Sequence, residues 1–283
     1  MAYPATYLRS SSLADALRLA ADPKYVILAG GTLLQPLMNE GHLSPEAVLD
    51  VSAIPELRGI SVDTGGIRIG SATTLAEIAD HQEIRQLAPL LVEAVEAIAC
   101  HEVRQQATLG GNIEMALASM DTLPALLVMD AEVELATAKG PRRLPLAQHL
   151  KAGRTSRASG ELLVAVEFVP LNGSRGRFVK LGARKSFAPS VLSVAVVLST
   201  AEDGSVRELR VAAGCCDDRA LRLVEVEAAA VGATLASHAI DDLAGMASAE
   251  IHPNDDIYAS AIYRRRALEE LLRRTLHELL LIA

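Results

Sequence analysis

The chain has 283 residues, enough to bury two ordinary cores or one large one. Half of them are hydrophobic and mean hydropathy is +0.25, yet no apolar run approaches the roughly 18 residues a spanning helix needs, which argues against a membrane span. Lys and Arg number 27 against 35 Asp and Glu, a net charge of −8 that offers no footprint for a nucleic-acid backbone. The cysteines Cys100, Cys215 and Cys216 are too few for an iron–sulfur cluster, which normally takes four thiolates, and they define no disulfide framework. Met1-Ala2-Tyr3-Pro4 has neither the basic start nor the apolar stretch of a secretory signal, so a cytoplasmic location is expected.

Ser11-Ser12 precedes a helical apolar pattern, and Tyr25–Leu28 is a short buried strand running into Ala29-Gly30-Gly31-Thr32. A second strand is expected near Val48–Val51, with Pro55 closing the segment. Ile60–Val62 and Ile67–Ile69 flank Asp63-Thr64-Gly65-Gly66 as a hairpin. From Leu87 to Arg104 the apolar period is helical. Strands follow at 132–135 and 162–166, and the polar stretch Asn172–Gly176 marks a domain boundary. Beyond it come strands near 178–181, 191–198 and 206–213, a helix over roughly 220–231 and a long amphipathic C-terminal helix. Without strict strand–helix alternation, the fold class predicted is α+β.

Two glycine-rich loops are the candidates for chemistry. Ala29-Gly30-Gly31-Thr32 leads from a strand into Leu33-Leu34-Gln35-Pro36, which can open a helix, a context that suits anion binding. It lacks the third glycine of a Rossmann fingerprint and the Gly-Lys-Ser/Thr of a Walker loop. Ala107-Thr108-Leu109-Gly110-Gly111-Asn112 combines a hydroxyl, two permissive glycines and an amide, and Asp121 follows nine residues later. Taken alone, each loop reads equally as a turn, because glycine is the default turn residue. His101-Glu102-Val103-Arg104-Gln105 lacks the second histidine of a zinc-protease helix, and no metal spacing or Ser–His–Asp signature is present. Cys215-Cys216 reads as small buried residues after a strand, and Arg264–Arg266 as a solvated or subunit-contact face.

Together, Leu28–Thr32, Ile69–Leu75, Val103–Asn112, Asp121 before Pro124, and Ser260-Ala261-Ile262-Tyr263-Arg264 resemble the FAD-binding medium subunit of the molybdenum hydroxylases, along essentially the whole chain. The resemblance implies a two-part FAD domain of the vanillyl-alcohol-oxidase type over 1–172, with a subdomain boundary near 57, and a smaller α+β domain over 173–283. It implies that Ala29, Gly30, Gly31, Thr32, Leu33 and Leu34, with Ala107, Thr108, Gly110, Gly111 and Asn112, wrap the FAD diphosphate. Asp121 would contact the ribityl or ribose region, Ile98 would pack against the ring, and Thr74 would lie near the cofactor. Lys180 and Arg222 match basic positions close to the flavin, where a cation would stabilise the anionic reduced ring. Glu114, Met115 and Met120 stand where the family more often has small residues, hydroxyls or proline, and Glu114 would repel a diphosphate if it pointed inward.

The function implied is electron transfer. FAD would take electrons from a small 2Fe–2S subunit served by a large molybdopterin-binding subunit, in a dimer of heterotrimers, and pass them to an external acceptor. No catalytic acid or base and no metal site are expected on this chain. A free-standing flavin oxidoreductase of the same fold and a degenerate member without FAD are the other two readings.

Overall fold

The computed structural model describes residues 6–184 and 187–281, and its fold is α+β. Strand and helix alternate at first: β1 (Thr6–Arg9), α1 (Leu13–Ala20), β2 (Tyr25–Leu28), α2 (Leu34–Asn39) and β3 (Ala47–Asp50). The three strands are parallel in the order β1-β3-β2, with helical crossovers of the kind parallel pairs require. Ser12 caps α1 as expected, its hydroxyl accepting from the Asp15 N–H at 3.2 Å. The central strand β3 is buried along its length, while edge strand β1 is exposed along its own.

A 3-10 turn at Pro55–Leu57 leads to β4 (Ile60–Asp63) and β5 (Gly66–Gly70), the expected hairpin. Helices α3 (Leu75–Asp80), α4 (Gln82–Leu87), α5 (Pro89–Glu96), α6 (His101–Arg104), α7 (Leu109–Met115) and α8 (Thr122–Val128) follow. Next come β6 (Glu132–Thr137), β7 (Gly140–Pro145), α9 (Leu146–His149), the short β8 (Leu150–Lys151) and β9 (Arg154–Thr155), and β10 (Leu162–Phe168). The sheet order β4-β5-β10-β6-β7 sets β10 between β5 and β6, the two strands that flank the helices α3–α8 in the chain.

The single helix expected over Leu87–Arg104 is broken in two places. Ala88 leaves the helical region and Pro89 starts α5, and residues 97–100 unwind, with Ala99 at φ +48°. Arg104 holds that opening by donating to the carbonyls of Glu96 at 3.3 Å and Ile98 at 2.8 Å. A guanidinium taking carbonyls from the helix ladder leaves no trace in an apolar period.

The last part comprises β11 (Arg175–Gly182), β12 (Ser190–Thr200), β13 (Val206–Gly214), β14 (Leu221–Arg222), α10 (Val224–Ala230), α11 (Ser237–Glu250) and α12 (Ala261–Leu281). The four strands form an antiparallel sheet in chain order. The apolar run of β12 is explained by burial on both faces. Leu192, Val194, Val196 and Leu198 pack with the leucines of α12, while Ala195 and Val197 join the core of the preceding helices. Leu268, Leu272, Leu276 and Leu279 are fully buried, each contributing about 2 kcal/mol. The helix expected from residue 220 starts only at Val224, because Leu221–Arg222 pair with β13.

Candidate functional site

The first glycine loop is held open at the carboxyl end of β2. Gly31 sits at φ +70°, which turns the chain from the strand toward α2. Among the described residues, the backbone N–H groups of Gly30, Gly31, Thr32, Leu33 and Leu34 and the Thr32 hydroxyl donate to no protein acceptor. Five consecutive free N–H groups form a ready cradle for anionic oxygens.

The second loop is the N-terminus of α7 rather than a turn. Thr108 is its N-cap and accepts from the Gly111 N–H at 3.1 Å. The N–H groups of Leu109 and Gly110 donate to the carbonyls of Thr73 (3.1 Å) and Ser71 (2.8 Å), and that of Asn112 to Thr108. The Asn112 side chain is engaged as well, donating to Met120 and accepting from Thr122. A Cβ on Gly110 would stand 2.6 Å from Ser71 Cβ, so the helix can seat on that turn only with glycine there. A Cβ on Gly30 would stand 1.9 Å from the Gln106 carbonyl oxygen, which presses the two loops directly together.

Both loops open on one cavity of about 1220 Å³, above the roughly 300–1,000 Å³ of sites for drug-sized ligands. Every residue expected at the cofactor lines it except Thr74 and Arg222. Thr74 caps α3 in a reciprocal pair with Glu77 and bridges to Thr108, so it supports the second loop from behind. Arg222 is bonded to Glu227, Asp130 and the Leu127 carbonyl, which commits its donors away from the cavity.

Ile98 reaches the wall from the unwound 97–100 segment. Lys180 on β11 donates to Asp121 at 2.7 Å and to the Ala97 carbonyl at 2.9 Å, and the Ser190 hydroxyl also donates to Asp121. Burial pushes the Asp121 carboxyl above its ordinary range, against the pull of the Lys180 ammonium. Cys215 lies beside this group at φ +57°, and burial pushes its thiol up to about 12, which favours the protonated thiol.

Glu114 also faces the cavity, but its carboxylate is bonded to His149 (2.8 Å), Arg157 (2.6 Å) and Thr155 (3.2 Å). The repulsion expected from it is therefore met by a cation. Arg264 corrects another expectation: it is 3% exposed, lines the cavity and is bonded to Asp256 and three backbone carbonyls, while only Arg266 of the three arginines is exposed. Sequence reasoning missed Arg157 and Ser190, whose partners Glu114 and Asp121 are remote in the chain, and Asp256, which pairs with Arg264 across a loop that carries no motif. Among the described residues no cluster of ligands suits a metal ion, and no helix is long and apolar enough to cross a membrane.

A strand ending in a run of free N–H groups over a large cavity suits a protein that holds an anionic organic cofactor. The FAD binding domain in molybdopterin dehydrogenase matches residues 3–171, and the CO dehydrogenase flavoprotein C-terminal domain matches residues 177–279. The chain belongs to this family of molybdenum-hydroxylase FAD-binding medium subunits and is an oxidoreductase subunit. It is 28% identical to the glyceraldehyde dehydrogenase medium chain of Sulfolobus acidocaldarius, over 96% of this chain and 97% of that one. It is 30% identical to the 6-hydroxypseudooxynicotine dehydrogenase complex subunit alpha of Paenarthrobacter nicotinovorans, over 95% and 92%. A solved carbon monoxide dehydrogenase from Hydrogenophaga pseudoflava superposes with TM-score 0.94 at 26% identity, over 99% of this chain and 98% of that one.

The residues present fit FAD. The first loop supplies donors for a diphosphate, and the absence of side chains at Gly30 and Gly31 lets the oxygens approach the backbone.

Proposed function

We propose that this chain relays electrons through FAD, from a small 2Fe–2S subunit fed by a large molybdopterin-binding subunit, to an external acceptor. The observation that carries the reading is the run of free N–H groups, Gly30 to Leu34, facing a cavity large enough for a dinucleotide. Bound FAD would supply the exchange between paired and single electrons. Gly30–Leu34 would hold the diphosphate, and Ile98 would exclude water from one face of the ring. Lys180 would carry positive charge near the ring, fixed there by Asp121 and the Ala97 carbonyl.

The partners follow from the company this family keeps, including a relative described as one subunit of a dehydrogenase complex. The proposed assembly is a cytoplasmic dimer of heterotrimers, with the FAD-binding part in residues 1–172 and the C-terminal part in 173–283. Co-expression with the neighbouring large and small subunits tests the reading. The complex should purify yellow, and its flavin band should bleach when the complex is given a reducing substrate of the large subunit. A complex whose iron–sulfur bands bleach while the flavin band does not would sink the relay. A colourless chain that ignores added FAD would sink the cofactor assignment as well.

A further inference from the structure

Among the described residues, three cationic side chains line the cavity: Arg157, Lys180 and Arg264. In two of them every side-chain nitrogen donates to a protein acceptor. Lys180 holds Asp121 and the Ala97 carbonyl, and Arg264 donates from all three nitrogens to Val191, Asn254, Ala259 and Asp256. Arg157 differs. Its Nε donates to Glu114 at 2.6 Å and its Nη1 to the Glu161 carbonyl at 3.0 Å, while its Nη2 donates to no described residue. The guanidinium plane is therefore fixed at two edges and free at the third, a preorganised donor with a flat face.

The support behind it is unusually complete. Glu114, near the C-terminal end of α7, takes bonds from Arg157, from Thr155 and from His149, which is fully buried and bonded in turn to Ser156 at 3.0 Å. Burial works to raise the Glu114 carboxyl, but the bonds from His149 and Arg157 outweigh it and hold it below its ordinary value. The pair is half-buried at the cavity wall, with side-chain exposures of 29% for Arg157 and 21% for Glu114, so the free edge of the guanidinium is open to a ligand.

Position identifies which part of the cofactor it meets. The Ser159 hydroxyl donates to the Ala21 carbonyl at 3.3 Å and the Gly160 N–H to Ala20 at 3.0 Å, which ties the 157–160 turn to the chain just ahead of β2. Ala20, Pro23 and Tyr25 line the cavity beside it. The phosphate-facing loop lies at the opposite end of β2, four residues or about 13 Å along the strand. Ile98, Asp121 and Lys180, on the wall assigned to the flavin ring, come from the 97–100 break, the start of α8 and β11.

We propose that the Glu114–Arg157 pair anchors the adenylate half of FAD, with the free edge and face of Arg157 turned to it, and thereby makes the chain select FAD over FMN. This rests on the reading of the cavity as the FAD site.

The test uses the full chain stripped of flavin and titrated with FAD, FMN and ADP. Compared with wild type are Arg157→Met and the double variant Glu114→Gln/Arg157→Met, which removes the carboxylate charge that the single change leaves without its arginine. In both variants binding of FAD and ADP should weaken about tenfold or more, the loss of a charge-assisted contact, with FMN affinity unchanged. If Arg157→Met fails to fold, the double variant decides. FAD and FMN weakened alike, or FAD and ADP affinities left as in wild type, would overturn the proposal. A wild-type chain that binds neither FAD nor ADP would instead overturn the cofactor site itself.

Discussion

Both glycine loops carry a Gly-Gly pair followed closely by a helix, yet their backbones are used in opposite ways. Around Gly30-Gly31 the N–H groups through Leu34 have no partner among the described residues, and the loop faces the cavity with its donors free. Around Gly110-Gly111 the N–H groups from Leu109 to Asn112 are already bonded, to Ser71, Thr73 and Thr108, and glycine serves close packing instead. A glycine pair thus stands equally for a loop whose donors are free and for one whose donors are already bonded. What separates the two is where each N–H points, which depends on a neighbouring turn some 35 residues away in the chain.

The largest effect is expected where the loops meet. Gly30→Ala puts a Cβ 1.9 Å from the Gln106 carbonyl oxygen, so the loops must part. The cost is on the order of 3 kcal/mol, or about a hundredfold in FAD affinity, readable by fluorescence titration. Unchanged affinity would mean the contact is not needed.

Thr32→Val and Thr108→Val divide the two roles. Thr32 has no partner among the described residues, so its loss should leave the apo-protein melting temperature alone and weaken FAD about tenfold, as for a hydrogen bond to a charged group. Thr108 caps α7, so its loss should cost about 1 kcal/mol of stability, roughly 2 °C in Tm, with a smaller change in FAD affinity. The reverse pattern would break the comparison.

The smallest effect concerns the far end of α7. The Glu114 carboxyl is held below its ordinary value of 4.5 in the folded chain. Its contribution to stability is thus complete above that pH and lost as pH falls through the lowered value. Glu114→Gln should destabilise the protein at neutral pH, and the gap to wild type in urea melts should close below about pH 4.5. A gap independent of pH would exclude the ion pair as its source.

Much of this was legible in the sequence. Alternating apolar residues gave the Ile60–Ile69 hairpin, and the long run at 191–198 gave β12, because burial on both faces leaves a run with no polar interruption. The cavity residues near the glycine loops followed from a pattern of ordered short motifs. What stayed hidden depends on partners remote in sequence. Arg104 opens the helix at Ile98, Ser190 supports Asp121 from 69 residues away, and Arg157 neutralises Glu114 across 43. Arg222 was placed near the cofactor by the family resemblance, and its ion pairs with Asp130 and Glu227 could not be seen from their positions in the chain. The helix α11 escaped notice because its apolar stripe is thin, with Ile240, Leu243, Ala244 and Ala247 its buried residues.

Amide hydrogen exchange on the full chain, with and without FAD, tests the division of labour between the loops most directly. The amides of residues 30–34 should exchange freely in the apo-protein and become protected with FAD, while those of 109–112 should be protected in both states. Equal gains of protection in both loops, or none at 30–34, would contradict it.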